Sequence, residues 1–282
     1  MSPPAPASGA SQIGTASKKD TFSLPAVDIL WEDLKLGGIP FPLEVPGYGD
    51  TAEERARIRT AVYGQLESRD PARAGRPTSG LANVLRLLAA PKISIDLVAL
   101  AQLGDPQPIR AVVAARGKNA VLAVQSRLAV TVSVLRETQI VGSIVNLLPP
   151  NRSGPGQSIS LPASLLGAQS APHAGRHRRA APARGVLSTA TRPADHATEL
   201  RFLEAVLERP LLRAGTIGVL LRDEHGKIQR LPGIGFFDTD QGRYTTTSLR
   251  GPDGEDWTTL SPTDNARLTH RLAETLVTAL QQ

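Results

Sequence analysis

Residues 93–135, ISIDLVALAQLGDPQPIRAVVAARGKNAVLAVQSRLAVTVSVL, decide the fold. Four short apolar runs lie within them, Ile93 to Gln102, Ile109 to Ala115, Ala120 to Gln125 and Leu128 to Leu135, and each reads as a strand. Arg116-Gly117-Lys118-Asn119 is a hairpin connection between the second and third. Connections this tight bring consecutive strands together antiparallel, so the stretch is a four-stranded antiparallel unit.

Helices flank it. On the C-terminal side Glu137 to Leu148 carries Val141, Ile144, Val145 and Leu148 and is stopped by Pro149-Pro150. On the N-terminal side Ser79 caps a helix with the stripe Leu81, Val84, Leu85 and Leu88, ended by Pro91. Earlier, Thr51-Ala52-Glu53-Glu54 is a capping box followed by Ile58, Val62 and Leu66, which predicts a helix to about Ser68 whose charged face holds Glu54, Arg55, Arg57 and Arg59. Ile39 to Pro46 has three prolines, each turning its predecessor extended, and is expected to pack as an arm. Ala26 to Leu36 is a short helix with Ile29, Leu30, Trp31 and Leu34 available for burial, closed by Gly37 and Gly38.

The same order of elements recurs near the C-terminus. Asp195 caps a helix carrying Leu200, Leu203, Val206 and Leu207 and ended by Pro210. Strands are expected over Leu211 to Leu221, Ile228 to Phe237, Arg243 to Leu249 and Asp256 to Leu260, with Asp- and Gly-rich turns between them. Ser261-Pro262-Thr263-Asp264 then offers cap, first-turn proline and first-turn acid for a helix whose buried edge is Leu268, Leu272, Leu276 and Leu280. Two antiparallel four-stranded units, each flanked by helices, predict an α+β fold with quasi-twofold symmetry. The expected division is an unstructured tail over 1–20, one half over 21–167, an Arg/Pro-rich linker over 168–193 and a second half over 194–282.

Composition narrows the function. The 282 residues are 40% apolar, enough for a sizeable core, and no run of about 18 apolar residues is present, so membrane insertion is not expected. The first 20 residues have neither a basic start nor an apolar centre, so a signal peptide is not read and a cytoplasmic location is expected. There is no cysteine, which removes thiolate chemistry and disulfides. Of the net charge of +6, Arg176, Arg178, Arg179, Arg184 and Arg192 supply five with no acid among them; the remainder of the chain is close to neutral.

Catalytic patterns do not assemble. His173 and His177 have a metal-binding spacing, but they lie among Arg176, Arg178 and Arg179, which repel a divalent cation. His225 and His270 have no serine or aspartate partner at a recognisable spacing. Asp238, Asp240 and the Asp253 to Asp256 cluster sit at strand ends, where aspartate is common for local hydrogen bonding; a hydrolase using Asp238, Asp240 or His225 is the alternative they leave open. Gly154-Pro155-Gly156 and Gly233-Ile234-Gly235 do not stand between a parallel strand and a helix, as a phosphate loop requires. No aromatic residue accompanies the linker arginines, so single-stranded nucleic acid has no stacking platform there and no specific nucleic acid is expected; a role through those arginines is a second alternative. No cofactor is called for.

Leu30-Trp31-Glu32-Asp33-Leu34-Lys35-Leu36-Gly37-Gly38-Ile39-Pro40-Phe41-Pro42-Leu43, followed by Thr51 to Arg55, resembles the opening of the EspG family of type VII (ESX) secretion proteins of actinobacteria. Ala114 to Gly117, Leu147 to Pro150 with Gly154 to Gly156, and Gly242-Arg243-Tyr244 leading to Trp257 through Asp264 fit the same family in the same order, over 22–167 and 195–280. The resemblance implies a quasi-twofold fold with a central sheet and helical bundles. It also implies a cytosolic, cofactor-free chaperone that binds the helical tip of PE/PPE-like or WXG-type secreted proteins, as monomer or dimer. The insert over 168–193 departs from a compact member of the family.

If a surface does the work, the second strand of the second copy is the expected contact region. Pro232 excludes it from an ordinary central strand, and it mixes Leu231, Ile234, Phe236 and Phe237 with Arg230. Arg243, Tyr244, Thr245 and Thr247 on the next strand are expected to supply polar specificity.

Overall fold

The computed structural model describes residues 19–167, 196–251 and 254–281. Asp195, His173, His177, Asp253 and the arginines of the linker lie outside the described residues, as does most of the N-terminal tail.

The four strands form where the apolar runs place them: β4 (Ile93–Leu100), β5 (Ile109–Arg116), β6 (Asn119–Gln125) and β7 (Ala129–Arg136). They are preceded by β1 (Lys19–Ser23), α1 (Leu24–Asp33), α2 (Ala52–Glu67), the two-residue strands β2 (Ala72–Arg73) and β3 (Arg76–Pro77), and α3 (Ser79–Ala89). After them come a 3-10 turn and α4 (Ile140–Val145), shorter than the helix expected over Glu137 to Leu148, then β8 (Ile159–Pro162) and α5 (Ala163–Gly167). The second copy supplies α6 (Ala197–Leu207), β9 (Leu211–Arg222), β10 (Ile228–Arg230), β11 (Ile234–Thr239), β12 (Gly242–Arg250), β13 (Asp256–Thr263) and α7 (Asn265–Leu280).

All but β2 and β3 join one sheet in the order β1-β7-β6-β5-β4-β9-β11-β12-β13-β8, with β10 beside β9. The first strands of the two copies, β4 and β9, pair antiparallel at the centre with Asp96 opposite Gly218 and Leu97 opposite Ile217. The expected α+β fold with quasi-twofold symmetry is therefore present, its two four-stranded units fused across this seam. Each unit ends in a short edge strand immediately followed by a helix, β1 with α1 and β8 with α5.

One face of the sheet is covered at its centre by α4 and α7, whose Ile140, Ile144, Leu268 and Leu272 pack on Ile95, Leu97, Val113, Ile217, Val219 and Phe236. On the other face α1 to α3 close the first half over Val112, Ala114, Val121, Ala123, Val130 and Val132, while α5 and α6 close the second half over Ile159, Leu161, Tyr244 and Leu260.

Several local expectations shift. Lys19 and Asp20, placed in the unstructured tail, form β1, because β7 offers an edge whose register runs from Ser133 to Ala129. Ser23 caps α1 by accepting from Ala26, so the helix begins at Leu24, two residues before the predicted start at Ala26. Thr51 accepts from Glu54 at 3.2 Å as the capping box requires, although Glu54 returns to the amide of Asp50 rather than to Thr51. Thr78, not Ser79, caps α3. The strand expected over Ile228 to Phe237 breaks at Leu231-Pro232-Gly233 into β10 and β11, as a proline without an amide donor dictates. Ser261 and Pro262 are strand residues of β13, and Asp264 is the cap of α7, accepting from Arg267 at 2.8 Å. Pro262 is tolerated there because β8 pairs only with Trp257 to Leu260, which leaves that end of β13 open on one side.

The family-like opening has a structural reason. Arg55 on α2 reaches Asp28 (2.8 Å) and Glu32 (2.5 Å) on α1, and Arg59 reaches Glu32 (2.9 Å) and Asp33 (3.1 Å). Arg55 also donates to the carbonyl of Tyr48, and Asp28 accepts from the Tyr48 amide, so the extended arm is tied into the lattice. The arm is anchored at its other side by Leu43, which is buried, and by a two-way exchange between the Gln125 side chain and the backbone of Glu44.

Candidate binding groove

Between the two helical coverings, the middle of the second face is left open. Its floor is made by β4, β9 and β11, and its wall by the end of α6. Residues alternate along a strand, so with Ile95 and Leu97 facing α4 and α7, Asp96, Val98 and Leu100 face the opening; the partners Gly218, Thr216 and Ala214 share that face. Val98, Leu100, Thr216 and Ala214, together with Val206 and Leu207 of α6, Gly215, and Gly235 and Phe237 of β11, line a groove of about 620 Å³, and Asp96 and Gly218 lie beyond one end of it. Leu207, Leu211 and Leu212 are exposed at its rim, around Pro210.

The predicted contact residues separate into two groups. Leu231, Ile234 and Phe236 are buried under α7 with the central core. Arg243 and Tyr244 are also buried. Phe237 is half-buried, stacks on Tyr244 with ring centroids 5.6 Å apart, and lines the groove. Arg230 is exposed on β10. The sequence thus brings Phe237 and Arg230 to the open face and commits the other five to packing. Val98, Leu100, Thr216, Val206 and Leu207 were not singled out as contact residues; the signal that could have marked the place is the three leucines Leu207, Leu211 and Leu212 on either side of Pro210, where the helix gives way to the strand.

Beneath the groove a buried ion pair fixes its floor. Arg243 and Asp238 are both inaccessible, joined by Nε to Oδ1 at 2.6 Å and Nη2 to Oδ2 at 2.9 Å. Arg243 donates further to Asn265 at the start of α7 and to the carbonyl of Pro149 after α4, and its guanidinium lies 5.2 Å from the centre of the Phe236 ring. Arg213 adds a bond to Asp238 at 3.3 Å and one to the carbonyl of Ala101. Asp238 is thereby a structural counter-ion closed off from solvent. Asp240 pairs with Arg209 at the surface, and the Asp223 carboxylate binds the backbone of the His225 turn, so the three residues of the hydrolase alternative serve separate structural contacts.

Gly154 and Gly156 are explained by close packing. A Cβ at Gly154 would come within 2.2 Å of the Tyr244 ring, and one at Gly156 within 2.4 Å of Phe202. The backbone here presses on aromatic rings, and the Tyr244 hydroxyl donates to the carbonyl of Pro155. Burial holds the Tyr244 hydroxyl above its ordinary pKa.

On the same face, one pleat from Val98, Asp96 is nearly inaccessible and meets Arg230 at 3.5 Å. Burial, opposed by Arg230, raises the Asp96 carboxyl above its usual range. Arg230 in turn lies 5.8 Å from the centre of the exposed Phe41 ring, in the extended arm.

Among the described residues no helix is long and apolar enough to cross a membrane. Comparison with curated proteins finds no sequence match. In structure the chain is similar to the Mycobacterium tuberculosis type VII secretion system chaperone EspG5, solved in complex with a PE25-PPE41 dimer, with a TM-score of 0.64 and 13% identity over 92% of this chain and 96% of that one. At that identity the likeness is one of fold. The model of the EspG family matches residues 23–274, nearly the whole sequence, and the chain belongs to the EspG family.

Proposed function

We propose that this protein is a type VII secretion chaperone that holds the apolar helical tip of a PE/PPE-like or WXG-type client in the groove between α6 and the sheet, in the cytoplasm, before export. The observation that carries the reading is the open apolar groove of about 620 Å³ at the seam of the two halves, in a chain of this family. The fold neighbour, itself a chaperone solved in complex with a PE25-PPE41 dimer, supports the client class. A secreted helical hairpin with an apolar end aggregates unless that end is covered, and covering it takes burial rather than chemistry. The protein therefore acts without a catalytic step or a cofactor. Phe237 contacts the client from the floor and Arg230 from the rim, while Leu231, Ile234, Phe236, Arg243 and Tyr244 hold the strands that present them. The halves over 21–167 and 194–282 work as one unit, with 168–193 as the connection between them.

The test is Thr216→Arg. Thr216 is exposed on the groove floor, so the substitution leaves stability within about 0.5 kcal/mol. It is expected to abolish co-purification of a co-expressed PE/PPE-like helical-hairpin client. Undiminished capture by the arginine variant would remove the groove from the interface.

A further inference from the structure

Resting on that reading, we propose that Arg230, seated over Asp96 across Gly218, is the charge selector of the groove and favours helical hairpins whose turn carries a carboxylate. The pair is asymmetric. The Asp96 side chain is 6% exposed and the Arg230 side chain 56%, so the anion is shut in and the cation is open. The one bond from Arg230 to Asp96 spans 3.5 Å, which leaves most of its five N–H donors without a partner among the described residues.

The geometry needs the glycine. A Cβ at position 218 would stand 2.6 Å from both Asp96 Oδ2 and Arg230 Nη2, so the two side chains meet only because Gly218 has none. Asp96 and Gly218 are the next same-face pair after Val98 and Thr216 along the seam, which puts Arg230 just beyond one end of the apolar floor, where a turn seated in the groove passes it. Arg209, also open to solvent, lines the groove elsewhere. A carboxylate entering with an apolar turn finds free guanidinium donors beside an aromatic ring, Phe41, and a charge-assisted fork is among the stronger contacts a surface can offer. An entering lysine meets the same cations and cannot reach Asp96 behind Arg230. The buried carboxylate thus serves to hold Arg230 in place, and discrimination is by charge sign.

The experiment uses the full chain and three synthetic helical-hairpin peptides identical except for Glu, Gln or Lys at the turn, with affinity read by calorimetry. The Glu peptide is expected to bind at least tenfold more tightly than the Lys peptide, with an advantage that shrinks in high salt. In Arg230→Gln that ratio falls to near one while the Gln peptide is affected less than twofold. Arg230→Gln combined with Asp96→Asn, which leaves no buried charge unpaired, behaves the same way and guards against misfolding as the cause. Equal weakening of all three peptides, or no preference in the unaltered protein, would overturn the selector. Binding of no hairpin at all would instead overturn the groove reading beneath it.

Discussion

Across the β4-β9 seam, α1 to α3 close one half of the sheet with 21 buried residues, whereas α5 and α6 close the other with five among the described residues. The two halves repeat the same order of elements, so the difference lies in what each does with the face of its sheet. In the first half the helices and the extended arm fill it with Leu30, Trp31, Leu85 and Leu88 and lock the exterior with the Arg55 and Arg59 ion pairs. In the second, α6 buries only Val206 and leaves Val98, Thr216 and Phe237 to a groove. Duplication here yields one half that is stabilised by its covering and one that keeps part of its apolar surface for another molecule. The second half makes up for its thin covering from below, through the Arg243-Asp238 pair.

That last point gives the largest expected effect. Asp238→Ala strands Arg243 with no exposure and without its anion, which costs about 3–5 kcal/mol, whereas breaking an exposed pair costs under about 1 kcal/mol. Urea unfolding is the measurement, and a loss below about 1 kcal/mol would mean that the second half does not depend on its buried ion pair. Next, the coverings themselves are compared. Leu30→Ala, at a position with no exposure in the first half, is expected to cost about 2–5 kcal/mol through lost burial and the cavity left behind. Val206→Ala, in α6, is expected to cost about 1–2 kcal/mol at two methylene equivalents. Equal losses would erase the contrast between the halves.

Arg55→Ala ranks below these. Its side chain is 22% exposed and holds Asp28, Glu32 and the carbonyl of Tyr48 together, so it is worth more than an isolated surface pair, about 1–2 kcal/mol. The loss should be local, appearing first as faster hydrogen exchange at Tyr48, whose amide is bound to Asp28. Uniform exchange along the chain would show that the lattice tightens the whole fold rather than the arm.

The central strands were legible because a strand covered on both faces reads as a short, nearly continuous apolar run between turn signals, as β5 and β6 do. The edge strands were not. Lys19 to Ser23 and Ile159 to Pro162 are too short and too polar to announce pairing, and their structure is decided by the free edges of β7 and β13, which lie far away in the chain. Pro232 was read as keeping one strand over Ile228 to Phe237 away from the centre of the sheet; it instead splits that strand, and β11 stands inside the sheet between β9 and β12. The facing of Leu231 to Phe237 was not readable: α7 covers one side of β11 and the groove lies on the other, so apolar residues stand on both sides and period two cannot tell client from core. Ser261-Pro262 misled for a related reason, since a cap followed by proline has the same spelling as a strand end that has lost one partner. The groove itself is assembled from β4 in the first half and α6, β9 and β11 in the second, so no single stretch of sequence spells it, and only the leucines on either side of Pro210 hinted at it.

The smallest effect separates the halves by the sign of their response to acid. Hydrogen bonding from Arg55 lowers the pKa of Glu32 in the first half, whereas burial raises that of Asp96 on the open face. For Glu32 the unfolded chain binds the proton first as pH falls, so its contribution is present above the unfolded value and is lost as pH drops through the folded one. For Asp96 the folded protein keeps the proton over a window in which the unfolded chain has released it, so stability falls as pH rises through that window. The two slopes have opposite sign, that of Glu32 lying below its ordinary carboxylate range and that of Asp96 above its own. Replacing one residue at a time uncovers them. Glu32→Gln should flatten the gain in urea midpoint between acid and neutral pH, and its effect should shrink with salt because the group is exposed. Asp96→Asn should raise the midpoint at neutral pH and leave it unchanged at the acid end, where the native carboxyl is already protonated. A midpoint that falls at neutral pH in Asp96→Asn would mean that Arg230 stabilises the carboxylate by more than its burial costs, and the open face would then be held by charge as firmly as the closed one.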